Sequence, residues 1–324
     1  VPVRTGRQLK SRKGFSLVEI LIAVVILSIV SIAAVGLFFA FAKHFEQSAD
    51  LTAARQRGEM VLSRLETAVL HAGLSMPNDS TKFKKVYSGG TTGLIQALSN
   101  AINGWDKPIY LPNDSNNKVA FEGKDYYKKI GIVYSLSSGI GVLEEYDVSE
   151  NTEQKLELSE ACPLDRIKQT STGNTTDGWV TFSGCQTPFV VTEIDNTTNP
   201  PVLTVKSSRS DLIPFFAELQ YVRALYAYVS SPGGTSPQFY IQDVTRGPAQ
   251  PAVEGVSQVL FSFDDSGTDA TNVLTAHLLL RGNRRFPGQY TLGDVPGWPI
   301  SSTITDEDRH YRLVAISASW RVRN

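Results

Sequence analysis

A lone carboxylate at the border of an uncharged stretch is the first feature of this sequence with chemical consequences. Glu19 closes the segment Gly14-Phe15-Ser16-Leu17-Val18-Glu19. Behind it, the 23 residues from Ile20 to Ala42 carry no charge, and only Ser28, Ser31 and Gly36 interrupt their apolar character. Ahead of it stand Arg4, Arg7, Lys10, Arg12 and Lys13, with no acid among them. An acid that must face lipid costs about 2.5–3.5 kcal/mol, so such a group is usually matched to a partner. The chemistry open to Glu19 is therefore ion pairing at low dielectric. The partner such an acid calls for is a cation, for instance an amine on a neighbouring helix. Because an unpaired acid is expensive in that medium, the pair would set axial register as well as attraction.

A basic leader ending in Gly, then Phe-Ser-Leu-Val-Glu, then about twenty apolar residues resembles a type IV prepilin. The resemblance implies a membrane peptidase that cuts after Gly14, methylation of the new N-terminus at Phe15, and a role for Glu19 in subunit docking. The positive leader stays cytoplasmic, so the chain inserts N-in and the remainder is exported. Roughly 20 residues at 1.5 Å each span a bilayer core. An ordinary signal peptide competes with this reading, with Ala40-Phe41-Ala42 as its cleavage site. Against it, the apolar run exceeds the ~7–15 residues such peptides use. An uncleaved anchor carrying an unrelated periplasmic binding or enzymatic domain is the other alternative.

The elements that would position these residues follow from periodicity. Lys43 to Ala72 contains no Pro and one Gly, Gly58, and Val61, Leu65, Ala68 and Ala72 recur at helical spacing. Gly73 is the expected C-terminal stop. Phe15–Ala72 is thus expected as one helix, apolar all round in its first half and amphipathic in its second. Gly36 reads equally as a point of helix loosening and as a packing position. The domains expected are a leader at 1–14, a pilin helix at 15–73 with its transmembrane or filament-core part at 20–42, and an extracytoplasmic β-rich head at 74–324. Residues 75–125 read as irregular, with one short helix near Leu94 to Ile102. Strand signals follow at Lys129–Leu136, Gly141–Val148, Gly178–Phe182, Pro188–Ile194 and Val202–Lys206. More come at Ala217–Val229, Gln238–Val244, Val256–Asp264, Val273–Arg281 and Tyr311–Arg323. The fold class is α+β: a long N-terminal helix packed on a mainly antiparallel sheet.

A second, weaker resemblance covers the last third. Val253-Glu254-Gly255-Val256, Gln258 to Asp264, Asp306 to Arg312 and the ending Trp320-Arg321-Val322-Arg323-Asn324 are similar to minor pilins of the PilW class, relatives of the J pseudopilins of type II secretion. This implies a low-copy subunit at the pilus tip. Its partners would be other minor pilins, the major pilin, the prepilin peptidase, the assembly platform and a tip adhesin. It would lie in the bacterial inner membrane before assembly and at the cell surface after it. A J-type pseudopilin is the alternative within the same class.

The head offers little chemistry of its own. No H-E-x-x-H, G-x-S-x-G or P-loop motif occurs, so no catalytic residue, enzyme activity or cofactor is assigned. Cys162 and Cys185 are expected to form one disulfide in an exported domain. Asp264, Asp265 and Asp269 offer oxygen ligands for Ca²⁺, but the spacing is not that of an EF-hand and a hairpin turn is the preferred reading. Asp306-Glu307-Asp308 is expected in a solvated loop, where it caps a turn or pairs with Arg309 and Arg312. Arg281, Arg284, Arg285, Arg321 and Arg323 are read as exposed strand positions, and Tyr221, Tyr226 and Tyr228 as half-buried sheet. Without the five leader cations the chain holds 26 basic and 32 acidic side chains, which argues against general nucleic-acid binding.

Overall fold

The computed structural model describes residues 16–322, apart from 78, 88–93, 164–169, 172–173, 176–177, 186, 233–235, 246 and 265–271. Two compact units divide the chain, residues 1–50 and residues 51–324. Helix α1 (Leu17–Leu70) contributes to both; α2 (Ser80–Tyr87) and α3 (Leu94–Ala101) belong to the second. The strands begin with β1 (Ile109–Tyr110), β2 (Lys118–Phe121), β3 (Lys124–Tyr127), β4 (Lys129–Gly141), β5 (Tyr146–Val148) and β6 (Glu153–Glu157). Next come β7 (Thr170–Ser171), β8 (Asn174–Thr175), β9 (Gly178–Phe182), β10 (Phe189–Asp195), β11 (Val202–Ser207) and β12 (Asp211–Ile213). The last are β13 (Glu218–Ser230), β14 (Gln238–Asp243), β15 (Gln250–Glu254), β16 (Val256–Asp264), β17 (Val273–Arg281) and β18 (Leu313–Arg321).

In the first unit, α1 turns apolar side chains outward on every side; Leu17, Ile26, Ile32 and Phe38 are more than half exposed. It is long and apolar enough to cross a membrane by length and composition. Ser28 spends its hydroxyl on the helix itself, donating to the Val24 carbonyl at 2.8 Å. The helix runs unbroken through Gly36, where an added Cβ would meet nothing within 4 Å.

In the second unit, α1 becomes one-sided. Ala54, Val61, Leu65, Ala68, Val69 and Ala72 are buried in a core shared with Val256, Val259 and Phe261 of β16 and Leu274, Ala276, Leu278 and Leu280 of β17. Gly58 lies on the same stripe. A Cβ there would come within 2.1 Å of Ile316 Cδ1 and 2.8 Å of Leu280 Cδ1, so the glycine is what lets helix and sheet approach this closely. Arg57 fastens the contact: its guanidinium donates to the carbonyls of Arg281 (2.9 Å) and Glu254 (3.4 Å). The helix gives way at Gly73, whose φ of +69° is the left-handed conformation a helix stop favours.

Every strand pair among the described residues is antiparallel. The larger sheet is organised by β13. One edge of it pairs with β4; the other is divided between β9, at Leu219–Tyr221, and β14, at Leu225–Ser230. β10, β11 and β6 extend the sheet beyond β9, and β15 extends it beyond β14. Successive residues of β13 face opposite sides. Leu225 and Ala227 join the core under α1, whereas Val222, Ala224 and Tyr226 pack with Phe83, Tyr87 and Leu98 of α2 and α3. The smaller sheet runs β18-β17-β16-β3-β2. Its second face, with Leu260 and Leu279, is covered by Val295, Trp298, Ile300 and Ile304 of the segment before β18.

The α+β architecture matches the expectation from sequence. Within 75–125, however, the irregular reading misses α2 and the β2–β3 hairpin. β6 and β15 are further strands without a sequence expectation, and the expected strand Gly141–Val148 is broken before β5.

The expected disulfide requires a correction. Cys162 and Cys185 are free thiols, both buried in the core of the larger sheet's outer part with Val180, Phe182 and Leu219. Cys185 Sγ instead contacts the Leu212 carbonyl at 3.4 Å. Burial pushes the Cys162 thiol up to about 11 despite a hydrogen bond with Tyr221. Burial and then the charge of Asp211 push Cys185 up to about 12. Alkylation needs the thiolate, so at pH 8 iodoacetamide should leave both thiols of the native protein unmodified. In denaturant without reductant both should react, read by intact mass. A pair that stays unmodified until reductant is added would restore the disulfide.

Candidate functional site

The first turn of α1 holds the acid singled out in the sequence. Ser16 and Glu19 bond reciprocally: the Ser16 amide donates to Glu19 Oε2 at 2.8 Å, and the Glu19 amide donates to Ser16 Oγ at 3.2 Å. This is a capping box, which satisfies two of the amides that a helix start leaves unpaired. The Ser-x-x-Glu spacing was visible in the sequence and is an unused signal there. Its effect is to fold the carboxylate back over the helix N-terminus, the positive end of the helix dipole. Glu19 therefore arrives at an apolar boundary already carrying a hydrogen bond. Gly14 and Phe15 lie outside the described residues.

The other polar centre lies in the head. Asp308 is only 1 % exposed and accepts from Arg281 Nε (2.7 Å), the Thr305 amide (3.0 Å), Thr305 Oγ1 (2.6 Å), Gln258 Nε2 (3.3 Å) and Ser257 Oγ. Burial works to raise its pKa, but the hydrogen bonds from Ser257 and Thr305 and the charge of Arg281 outweigh that and hold the carboxyl below its ordinary value. Here the expectation of a solvated loop holds for Asp306 and Glu307, which are exposed, and fails for Asp308. Residues that look like a run of surface acids divide their roles: Asp308 pairs with Arg281 inside, and Glu307 pairs with Arg285 at 2.9 Å outside. Arg309 donates to the carbonyls of Thr291 (3.3 Å) and Gly293 (3.1 Å). Of the arginines expected at exposed strand positions, Arg321 is one, at the end of β18; Arg284 and Arg285 are exposed but follow β17, Arg323 lies outside the described residues, and Arg281 is only 12 % exposed. Arg281 lies over the Tyr311 ring (4.9 Å), and Arg312 lies over both Phe286 (5.1 Å) and Tyr290 (5.0 Å), whose own rings stack at 4.2 Å. These contacts bind the segment between β17 and β18 to the sheet.

The remaining sequence candidates are dispersed. Asp264 ends β16 on an exposed position opposite Val273, the register of a hairpin; Asp265 and Asp269 lie outside the described residues. Tyr221 is buried with the cysteines, while Tyr226 and Tyr228 stack on the other face at 4.6 Å, with Tyr240 beyond at 5.5 Å. No group of three metal-ligating side chains occurs among the described residues.

A cavity of about 510 Å³ opens beside Asp308, lined by Lys128, Ser231, Gln258, Arg281 and Thr305 among others. The hydroxyls of Ser257 and Thr305 that line it donate to Asp308, which is itself paired with Arg281. The chemistry the geometry supports is thus concentrated at the N-terminal turn: an acid, capped and placed at an apolar boundary.

Comparison with known proteins bears on that turn. The family model described as the prokaryotic N-terminal methylation motif matches residues 9–35. Neither a curated protein nor a solved structure matches the chain. The N-terminal turn, with Glu19 at its centre, thus lies within a prokaryotic N-terminal methylation motif, the prepilin signal of type IV pilin-like proteins.

Proposed function

We propose that this chain is a minor pilin of the PilW class that joins or primes the tip of a type IV pilus. The observation that carries the reading is the methylation motif at residues 9–35, which overlaps the start of a 54-residue helix. The second unit, residues 51–324, is large for a repeating shaft subunit and fits a low-copy position. On this reading the peptidase cuts after Gly14 and Phe15 is methylated. The chain waits in the inner membrane, N-in, with the head in the periplasm, and then enters the tip through α1. Its partners are other minor pilins, the major pilin, the assembly platform and a tip adhesin.

The work is done by packing and electrostatics. In the bilayer the Ser16 amide satisfies part of Glu19, which reduces the cost of keeping the acid there. On assembly the carboxylate gains an α-amine from a neighbouring subunit, and a pair in low dielectric rewards one axial register. Mass spectrometry of the N-terminal peptide, taken from membranes of the native host, tests this. A peptide beginning at methylated Phe15 is expected. One that retains residues before Gly14 would make α1 a plain anchor for a periplasmic binding or enzymatic domain; one that begins at Lys43 would make the apolar run a signal peptide.

A further inference from the structure

The sheet edges of the second unit are treated unequally. β1 is two residues long and β2 four, starting with Lys118. β6 carries Glu153, Lys155 and Glu157 in five residues. β15 carries Pro251 and Glu254 in five. Short length, charge and proline are the means by which proteins keep edge strands from pairing. β18 has none of them. It is nine residues long, without Pro, Gly or Lys, and its only charge is Arg321 at the end. Its pairing with β17 runs through nine consecutive partners, Leu313↔Arg281 to Arg321↔Val273, with no bulge. Among the described residues no strand pairs with its other edge.

In an antiparallel ladder, alternate residues of an edge strand point their amides and carbonyls away from the partner. An extended backbone is the chemical complement of that row. The side chains agree: Val314, Ile316 and Ala318, on the face toward α1, are only partly buried, so the apolar layer under the helix stops unfinished at this edge. The geometry points to β18 as a docking edge for an extended segment of a partner protein. That segment adds as a further strand, with apolar side chains at alternate positions continuing the Val314–Ile316–Ala318 row and an acid near Arg321. Such strand addition draws affinity from main-chain hydrogen bonds and specificity from alternate side chains. The inference does not rest on the pilin reading: N-terminal processing and pairing at this edge fail or succeed separately.

The test uses the full chain in detergent micelles and a synthetic peptide with the sequence of β17, residues 273–281, whose side-chain rows already fit β18. Amide exchange across β18 is expected to slow saturably, by about tenfold or more at saturation. The same peptide with His277→Pro, which removes a central amide, should not protect. Ser317→Lys in the protein, at an exposed position, should weaken binding about tenfold or more, while Ser317→Thr should leave it intact. Unchanged β18 exchange at millimolar peptide, equal protection by the proline peptide, or protection confined to another edge or to α1 would overturn the proposal.

Discussion

Replacing Asp308 by Ala is expected to cost the head about 3–5 kcal/mol, because it strands Arg281 in a site where that side chain is only 12 % exposed. The loss exceeds that of one hydrogen bond for two reasons. The carboxylate also organises Ser257, Gln258 and Thr305, whose donors would be left without their acceptor. It also sits between β16, β17 and the segment that covers Leu260 and Leu279. Denaturant unfolding of the full chain, followed by tryptophan fluorescence, reads the effect, and Trp298 lies within the covering segment itself. Asp308→Asn, which keeps the shape and loses the charge, should fall between wild type and Ala. The pH dependence has a definite sign. Asp308 is held below its ordinary 3.8 in the folded state. Its contribution is therefore fully present above the unfolded value and is lost as pH falls through the folded one. The difference between wild type and Asp308→Ala should be flat from pH 5 to pH 8 (roughly, for a carboxylate) and shrink below about pH 4. A difference below 1 kcal/mol at neutral pH, to order of magnitude, would show that the network is not holding the segment.

Glu19→Ala is expected to leave that unfolding transition unchanged and to reduce incorporation into filaments by about an order of magnitude or more, on the energy of a charge pair at low dielectric. Two roles of the carboxylate can be separated. Removing the capping box costs about 0.5–2 kcal/mol at the helix start. Gln at the same position caps as Glu does but brings no charge. If pairing with an α-amine is what Glu19 supplies, Glu19→Gln fails in assembly nearly as badly as Ala. If the cap is what matters, Gln restores assembly. Pili sheared from cells and probed for this subunit, with membrane levels as reference, give the comparison. Normal incorporation of the Ala variant would remove Glu19 from the assembly mechanism.

The long-range plan was legible where local pattern and burial agree. The uncharged run and the apolar stripe that follows it place α1 almost to the residue, and β9, β16 and β17 fall on runs of Val, Leu and Phe bounded by turn residues. What escaped is short or comes together only in the fold. α2 carries Phe83, Val86 and Tyr87 at helical spacing, but over only eight residues with three lysines, and its apolar face is completed by Trp179 and the sheet. β6 reads as a charged loop because only Leu156 of its five residues is buried. Asp308 and Arg281 are 27 residues apart and meet only because β17 and the segment before β18 are brought together. A cluster of acids in sequence carries no mark of which one will be enclosed. The two cysteines were paired on compartment alone, and a shared core is not a bond.

The grip of Arg57 on the carbonyls of Glu254 and Arg281 has a mechanical meaning. The bonded carbonyls belong to the end of β15 and the end of β17, and Arg281 is in turn tied to Asp308. Tension applied along α1 would enter the head through this clasp as well as through the buried face of Ala54, Val61 and Leu65. Pulling on the helix therefore works against main-chain contacts at the ends of β15 and β17, which a count of ion pairs leaves out.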